Sequence, residues 1–160
     1  MNPPGNGSGW YLADLVLEIT VEGDSRNVVH INAHLIESSS PDCAYEKAMD
    51  LGRSSQIDYP NSEGRPVSIR FRGLKSLVAI HDELVDGAEV FYDERVGLTE
   101  EEVRDLVKSR EELAEFLPRR TRFDGPNYLP ESIAQRLESE GVSRAEFRRG
   151  EETRLDGIPE

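Results

Sequence analysis

Apolar and polar residues alternate in the first part of the chain, and this alternation predicts β-strands. From Tyr11 to Val21, apolar side chains fall at every second position, a repeat typical of a strand with one buried face. A second alternation runs from Val29 to Leu35, after residues 23–27, whose composition is that of a turn. Because the connection is short, we expect the two strands to form an antiparallel hairpin.

A helix is predicted directly after this hairpin. Ser40 is placed to cap its N-terminus, and Pro41 suits its first position. Ala44 and Ala48 follow at helical spacing, and their small side chains would allow a close approach to a sheet. Gly52 is expected to end the helix, since glycine readily adopts the left-handed conformation of a helix C-terminus.

The next stretch predicts a loop and a third strand. Residues 53–65 are polar and rich in turn-forming side chains. Residues 67–71 alternate again as a strand, which Gly73 is expected to bend or bulge. Residues 77–80 either continue this strand or form a turn of their own.

A fourth strand and a second helix are predicted further along. The dipeptide at 86–87, Asp-Gly, is typical of a tight turn, and residues 90–92 then predict a strand. Thr99, with Glu102 three residues later, has the pattern of a capping box. The helix that begins there is expected to end at Pro118.

The order β-β-α-β-β-α predicts an α+β domain over residues 10–117. Its economical assembly is a four-stranded antiparallel sheet with both helices on one face. Residues 1–9 are predicted to be a flexible leader, and residues 118–160 a polar C-terminal extension with one or two short helices. The uncovered sheet face is predicted to be polar and to carry Asp14, Glu18, His30, Asn32, His34, Arg70 and Arg72.

The acidic balance of the chain limits the partners it can have. Residues 1–117 hold 23 acidic and 11 basic residues, so they carry nearly all of the formal net charge of −13. A field of this sign repels phosphate groups, which argues against nucleic acid and anionic membranes and favours a basic protein partner. Simple solubility is the alternative explanation of the same charge.

Targeting signals are not found in the sequence. No apolar run approaches the ~20 residues that cross a bilayer, and the N-terminal residues lack the basic and apolar parts of a signal peptide. We therefore expect a cytoplasmic protein.

Four short segments occur in an order that resembles a known family: Trp10-Tyr11, Ala44-Tyr45-Glu46-Lys47-Ala48, Phe71-Arg72-Gly73-Leu74 and Asp86-Gly87-Ala88-Glu89-Val90. With them the chain resembles, over roughly residues 10–117, a family of small bacterial proteins catalogued as domain of unknown function 4288. The resemblance implies a bacterial source. It implies no activity and no functional residues.

The histidine pair His30 and His34 is the most obvious candidate for a metal site. On a strand the two lie about 13 Å apart, too far to bind one ion. Cys43, the single cysteine, could join them only from the next element and cannot form an internal disulfide. We therefore predict no metal and no cofactor.

Catalytic residues are not predicted either. The run at 81–83, His-Asp-Glu, places adjacent side chains on opposite faces of a strand and has no activated nucleophile beside it. The carboxylates of Asp14 and Glu18 are expected to form cross-strand salt bridges with the arginines of the same face.

The sequence therefore favours a small acidic binding or interaction module that engages a protein partner. The predicted binding residues are Trp10, Arg70, Arg72, Asp86 and Glu89. Glu89 is included because the turn before it does not require an acid at that position. Two alternatives stay open: a small hydrolase-like or other enzyme that uses the polar sheet face, and a homo-oligomeric structural protein, such as a homodimer whose sheet edges pair.

Overall fold

A computed structural model of the protein describes residues 9–116 and 125–144. Its elements are β1 (Gly9–Val21), β2 (Asn27–Ser38), α1 (Pro41–Ser54), β3 (Ile57–Pro60), β4 (Pro66–Ile80), α2 (Glu100–Leu106), a short 3-10 helix (Arg110–Glu112) and α3 (Glu131–Ser139). The strands form one sheet in the order β2-β1-β4-β3, and all neighbours are antiparallel. The predicted α+β class with a four-stranded antiparallel sheet is confirmed.

The core lies between β1 and α1. Ala13 and Leu15 of β1 are completely buried and pack in one cluster with Ala44 and Ala48 of α1. The helix begins as predicted, because the Ser40 hydroxyl accepts a hydrogen bond from the backbone N–H of Cys43 at 3.2 Å. The small alanines let the helix axis approach the sheet closely.

Gly52 does not end α1, so that prediction is wrong. The helix continues to Ser54, and Gly52 is buried on its inner side. A Cβ atom built at position 52 would lie 2.4 Å from the ring of Phe71 in β4. Glycine is therefore required by the close approach of helix and sheet, and not by a left-handed backbone.

β4 is longer than predicted, and β3 was not predicted. Residues 77–80 continue the strand. Gly73, at φ +132°, pairs with Val16 directly beside a register shift against β1, which confirms the predicted bulge. β3 lies within the stretch predicted as a loop. β3 has only four residues, Asp58 and Pro60 among them, so it is too short and too polar to show an alternation. Proline is tolerated there because the strand lies at an edge of the sheet.

The second half of the predicted domain differs most from expectation. The prediction of a strand over residues 90–92 is wrong, because residues 88–98 have no regular secondary structure. The fourth strand of the sheet is instead β3, which lies beside β4. The capping box of Thr99 and Glu102 is confirmed, but α2 ends at Leu106 and has no buried residue, so it does not cover the sheet beside α1. A short helix without a packed face is stabilised by little beyond its cap.

Residues 125–130 complete the buried side of the sheet. Tyr128 packs against Ile19, Val21 and Val67, a cluster separate from that beneath α1. α3 follows and confirms one of the short helices predicted for the extension. Most of the second, predicted over residues 143–149, and most of the predicted leader lie outside the described residues.

The Tyr59 hydroxyl joins this segment to β3 by donating a hydrogen bond to the Tyr128 carbonyl oxygen at 2.5 Å. Burial, with a smaller contribution from Tyr128, raises the pKa of Tyr59 above its ordinary value. A raised folded-state pKa means that the stabilisation is complete below about pH 10 and is lost as pH rises through the raised value.

We therefore expect one tyrosine to ionise later than the others in an absorbance titration of the native protein. Replacement by phenylalanine in Tyr59→Phe should remove this late component and flatten the fall of stability above about pH 10. An unchanged titration curve in the variant would contradict the assignment to Tyr59.

Candidate functional site

The register of β2 decides which side chains share each face of the sheet. Residues directly opposite one another in an antiparallel pair point to the same side. His34 lies opposite Ala13, and His30 lies opposite Leu17, so both histidines are on the side that carries α1. Asn32 follows the same rule.

The prediction that these three residues lie on the uncovered polar face is therefore wrong. Alternation separates two sets of side chains in a strand but does not say which set faces the core. His30 is half-buried, and its ring meets that of Tyr128 edge to face with the centroids 5.5 Å apart.

The other side of the sheet, called here the open face, carries an apolar patch. Val29, Ile31 and Leu35 of β2 are each 50% exposed. By register, the patch continues across β1 and β4, and its members are Trp10, Leu12, Val16, Val29, Ile31, Leu35, Val78 and Ile80. Single exposed apolar residues are common on protein surfaces, whereas neighbouring ones in a row are less so.

Polar side chains of the open face lie beside this patch and also interrupt it, because Asp14 lies between Leu12 and Val16 on β1. Arg72 forms the predicted cross-strand ion pair with Glu18 at 3.5 Å. Asp14, however, accepts a hydrogen bond from the hydroxyl of Ser76 at 2.8 Å rather than pairing with an arginine. The prediction of salt bridges on this face is thus confirmed for Glu18.

Arg70, the second predicted arginine, pairs with a strand that the sequence did not indicate. Its guanidinium donates to both carboxylate oxygens of Asp58 in β3, at 2.7 and 2.9 Å. The Ser68 hydroxyl donates to the same carboxylate, and these two groups lower the pKa of Asp58. Arg70 therefore already has a partner within the sheet.

A cleft of about 510 Å³ lies at the far end of β4. One wall is formed by the end of β4 and the two residues after it. The other wall is formed by residues 89–94, where the chain comes back past the end of β4. We call it the 78–94 cleft; its lining residues are Val78, Ala79, Ile80, His81, Asp82, Glu89, Val90, Phe91, Tyr92 and Glu94. Its volume is in the range of ligand-binding pockets in proteins.

A tight turn brings the two walls together. The Ala88 N–H donates to the Val85 carbonyl at 3.0 Å, and Gly87 has φ +86°, which confirms the predicted turn. The Asp82 carboxylate accepts a hydrogen bond from the backbone N–H of Glu89 at 3.2 Å. This bond closes the loop and fixes the start of the second wall.

The edge of β4 beside the cleft has no strand partner. β3 pairs with β4 only as far as Ile69, so the outer edge of residues 70–80 is not paired with another strand of the described chain. No backbone hydrogen bond joins residues 89–94 to that edge, both being within the described part. The edge can therefore accept an extended segment.

Charge and apolar surface combine in the cleft. The segment 81–98 holds six acidic residues and a single basic one. Three of the carboxylates, those of Asp82, Glu89 and Glu94, line the cleft together with the exposed aromatic rings of Phe91 and Tyr92. Such a lining suits a ligand with cationic groups on an apolar body.

A family model described as a domain of unknown function, DUF4288, matches residues 10–92. The chain belongs to this family. The predicted membership is confirmed. The matched range, 10–92, is shorter than the predicted 10–117, and it contains the sheet from Trp10 onward, α1 and nearly all of the cleft. No curated protein and no solved structure matches the chain.

The predicted binding residues of this DUF4288 protein fall into two groups. Glu89 lines the cleft, Asp86 lies in the turn that leads into it, and Trp10 lies opposite Ile80 in the β1–β4 register. These three lie at one end of the sheet, and their role in binding stays a prediction.

The two arginines lie at the other end of the sheet. Arg70 lies opposite Glu18 of β1, eight residues from Trp10, which corresponds to about 26 Å along the strand. Arg72 pairs with the same Glu18. The five predicted residues therefore cannot contact one small ligand together.

The described residues of the DUF4288 protein contain neither a cluster of metal-ligating side chains nor a helix that could span a membrane. Within residues 9–116 and 125–144, no three side chains of His, Cys, Asp or Glu come together as they would around a metal ion. Over the same ranges, none of the helices has the length and apolar character needed to span a bilayer.

Proposed function

We propose that this protein is an interaction module that binds a basic, extended segment of a protein partner in the 78–94 cleft. The observation that supports the proposal is the combination of an unpaired strand edge, aromatic walls and three carboxylates in one cleft. We further expect a bacterial, cytoplasmic protein.

An extended segment would use each of these features. Its backbone would hydrogen bond to the free edge of β4, as in other complexes formed by strand addition. Side chains on alternate positions would then point to opposite sides, so that lysines or arginines could meet Glu89 and Glu94 while apolar residues meet Phe91. Cations would also be attracted to the faces of the aromatic rings.

The charge of the whole chain supports the same class of partner. A net charge of −13 attracts a basic partner at a distance and repels an acidic one. The enzyme alternative has less support, because the histidines that an acid-base mechanism on the open face would use lie on the other side of the sheet.

The proposal is tested with a short fluorescein-labelled peptide that alternates lysine and valine, and with a second peptide that alternates glutamate and valine. We expect the basic peptide to bind with a Kd that rises about tenfold or more from low to physiological salt. The acidic peptide should not bind. Trp10, the single tryptophan, lies beside Ile80 of the cleft and provides an intrinsic fluorescence signal.

The double variant Glu89→Gln/Glu94→Gln removes two cleft charges and keeps side-chain size. We expect it to weaken binding of the basic peptide about tenfold, because two charge-assisted contacts are lost. The matched control is Glu46→Gln/Glu111→Gln, which removes the same charge at exposed positions away from the cleft. An equal loss of affinity for the basic peptide in both variants, or no binding of that peptide to the wild type at low salt, would contradict the proposal.

A further inference from the structure

We propose that the segment 100–116 closes over the open face of the sheet as one amphipathic helix, with Arg110 on the carboxylate of Asp14. In the part of the chain that the structure describes, both surfaces are uncovered. The β2 residues of the apolar patch are half exposed, and α2 has no buried residue. α1 and Tyr128 pack on the opposite side of the sheet, so the open face has room for a second helical layer.

The segment 100–116 has the pattern of a longer helix than the structure shows. α2 ends at Leu106, and a separate 3-10 helix follows at 110–112. In a continuous helix the apolar side chains would form one stripe with Arg110 at its centre. The seven acidic residues of the segment would all lie at least about 80° from that centre. The members of the stripe are Val103, Leu106, Val107, Leu113 and Ala114.

Asp14 gives the open face a matching centre. This half-buried carboxylate interrupts the apolar patch, and the side chains directly across from it are small, Ala33 on β2 and Ser76 on β4. The Ser76 hydroxyl donates one hydrogen bond to the carboxylate, which leaves further lone pairs for a cation. A guanidinium and a carboxylate form short, charge-assisted hydrogen bonds, and here they would do so between apolar surfaces.

Distances along the chain bring the two charges together. Residues 89–94 return the chain to the end of the sheet where Trp10 lies. Asp14 is four residues from Trp10, which corresponds to about 13 Å along β1. Arg110 is ten residues from Glu100, which corresponds to about 15 Å along a helix. A helix that starts beside the cleft and follows β1 therefore brings Arg110 over Asp14.

The covalent link favours this segment as the occupant of the open face. A tethered segment reaches the face at a high effective concentration, which a separate molecule does not have. The acidic residues of the segment would point away from the sheet, so the net charge of the chain does not oppose the contact at its centre.

Closure has a cost that burial of the stripe offsets. The Ser109 N–H would lose its hydrogen bond to the Glu112 carboxylate, now at 2.9 Å, and the Arg110 guanidinium would leave the Phe116 ring, whose centroid is 3.9 Å away. These are interactions at an exposed surface. Four side chains of the stripe are now between 45% and 75% exposed, and their removal from water outweighs the loss of one exposed cap.

Closure of the segment does not depend on the proposed function. The contact is centred on Asp14, and only the first turn of the closed helix would lie near Val78 and Ile80, which also line the 78–94 cleft. The test accordingly uses the chain without any peptide, so that its outcome and that of the peptide experiment are separate.

The test is nuclear magnetic resonance of the full chain with a nitroxide spin label at position 111, attached in Cys43→Ser/Glu111→Cys. We expect the label to broaden the amide signals of Ile31 and Ala33 on the open face. In this background Arg110→Glu should reduce the broadening at least about fivefold, because two carboxylates would then face one another and the closed population would fall.

Reversal of both charges, in Asp14→Lys/Arg110→Glu, should restore the broadening. Asp14→Asn alone should reduce it, which tests the charge pair even if lysine is not accommodated at position 14. The matched control is Lys108→Glu, which makes the same charge reversal about 160° from the centre of the stripe. This control should keep the broadening of the parent protein.

Four results would overturn the proposal. They are an absence of broadening on the open face, an equal loss in Lys108→Glu, undiminished broadening in Asp14→Asn, and broadening in a mixture of spin-labelled chains with separate isotope-labelled chains. The last result would assign the contact to a second copy. The amide signals of α1 report in each variant whether the sheet and its first helix are folded.

Discussion

Replacement of Asn61 by alanine is expected to lower the free energy of unfolding by about 3 kcal/mol. The side chain is 3% exposed and makes three hydrogen bonds. Its oxygen accepts from the backbone N–H groups of Glu63 and Arg65, both at 2.9 Å, and its amide donates to the carbonyl of Asn127 at 2.7 Å. Alanine would leave these partly buried groups without the partner that each now has.

The effect should include release of the segment 125–130 from the sheet. Urea denaturation would measure the stability, and hydrogen exchange of the Leu129 amide and its neighbours would report the release. The matched control is Asn27→Ala, since Asn27 is exposed and its amide donates a single hydrogen bond, to Glu18. If both variants lose the same small amount of stability, Asn61 does not hold the segment.

Replacement of Gly52 by alanine is expected to lower the free energy of unfolding by about 2 kcal/mol. At an exposed helix position the same change would stabilise a protein by about 1 kcal/mol, because alanine favours the helix. Here the new Cβ would lie 2.4 Å from the Phe71 ring, which would have to move within a packed cluster. Overpacking therefore outweighs helix propensity.

A double-mutant cycle tests this explanation. Phe71→Leu should itself be destabilising, but in its background Gly52→Ala should be neutral or favourable, because the smaller side chain vacates the space. Thermal or urea unfolding of the four proteins gives the coupling energy. A stabilising effect of Gly52→Ala in the wild-type background would show that helix and sheet can separate at this point.

The hairpin and first helix could be predicted because their patterns are long and regular. A repeat of two residues over β1, and the cap at Ser40, each determine a local structure whatever surrounds them. The end of α1 could not be predicted, because glycine is required at position 52 by the Phe71 ring of β4, a strand that is distant in sequence. The face of β2 was also undetermined, because its register against β1 depends on which set of side chains the helix covers.

The second half of the domain was harder for a different reason. β3 is too short to show a period, whereas residues 90–92 have strand-forming side chains but no paired edge. Secondary structure at such places is decided by tertiary contacts and not by propensity. Glu89 was predicted to be a binding residue from its unexplained charge, and Phe91 and Tyr92 were missed because they were assigned to a strand of the sheet.

The attachment of residues 127–129 to the turn between β3 and β4 has a consequence for the order of folding. Asn61 and Asn127 are separated by 66 residues, so the bond between them closes one of the longest loops in the described chain. Contacts of this kind form late, because the entropy of closing the loop opposes them until the sheet exists. During synthesis the cluster of Ile19, Val21 and Val67 therefore stays exposed to water on this side until the chain has grown past Tyr128, which covers it.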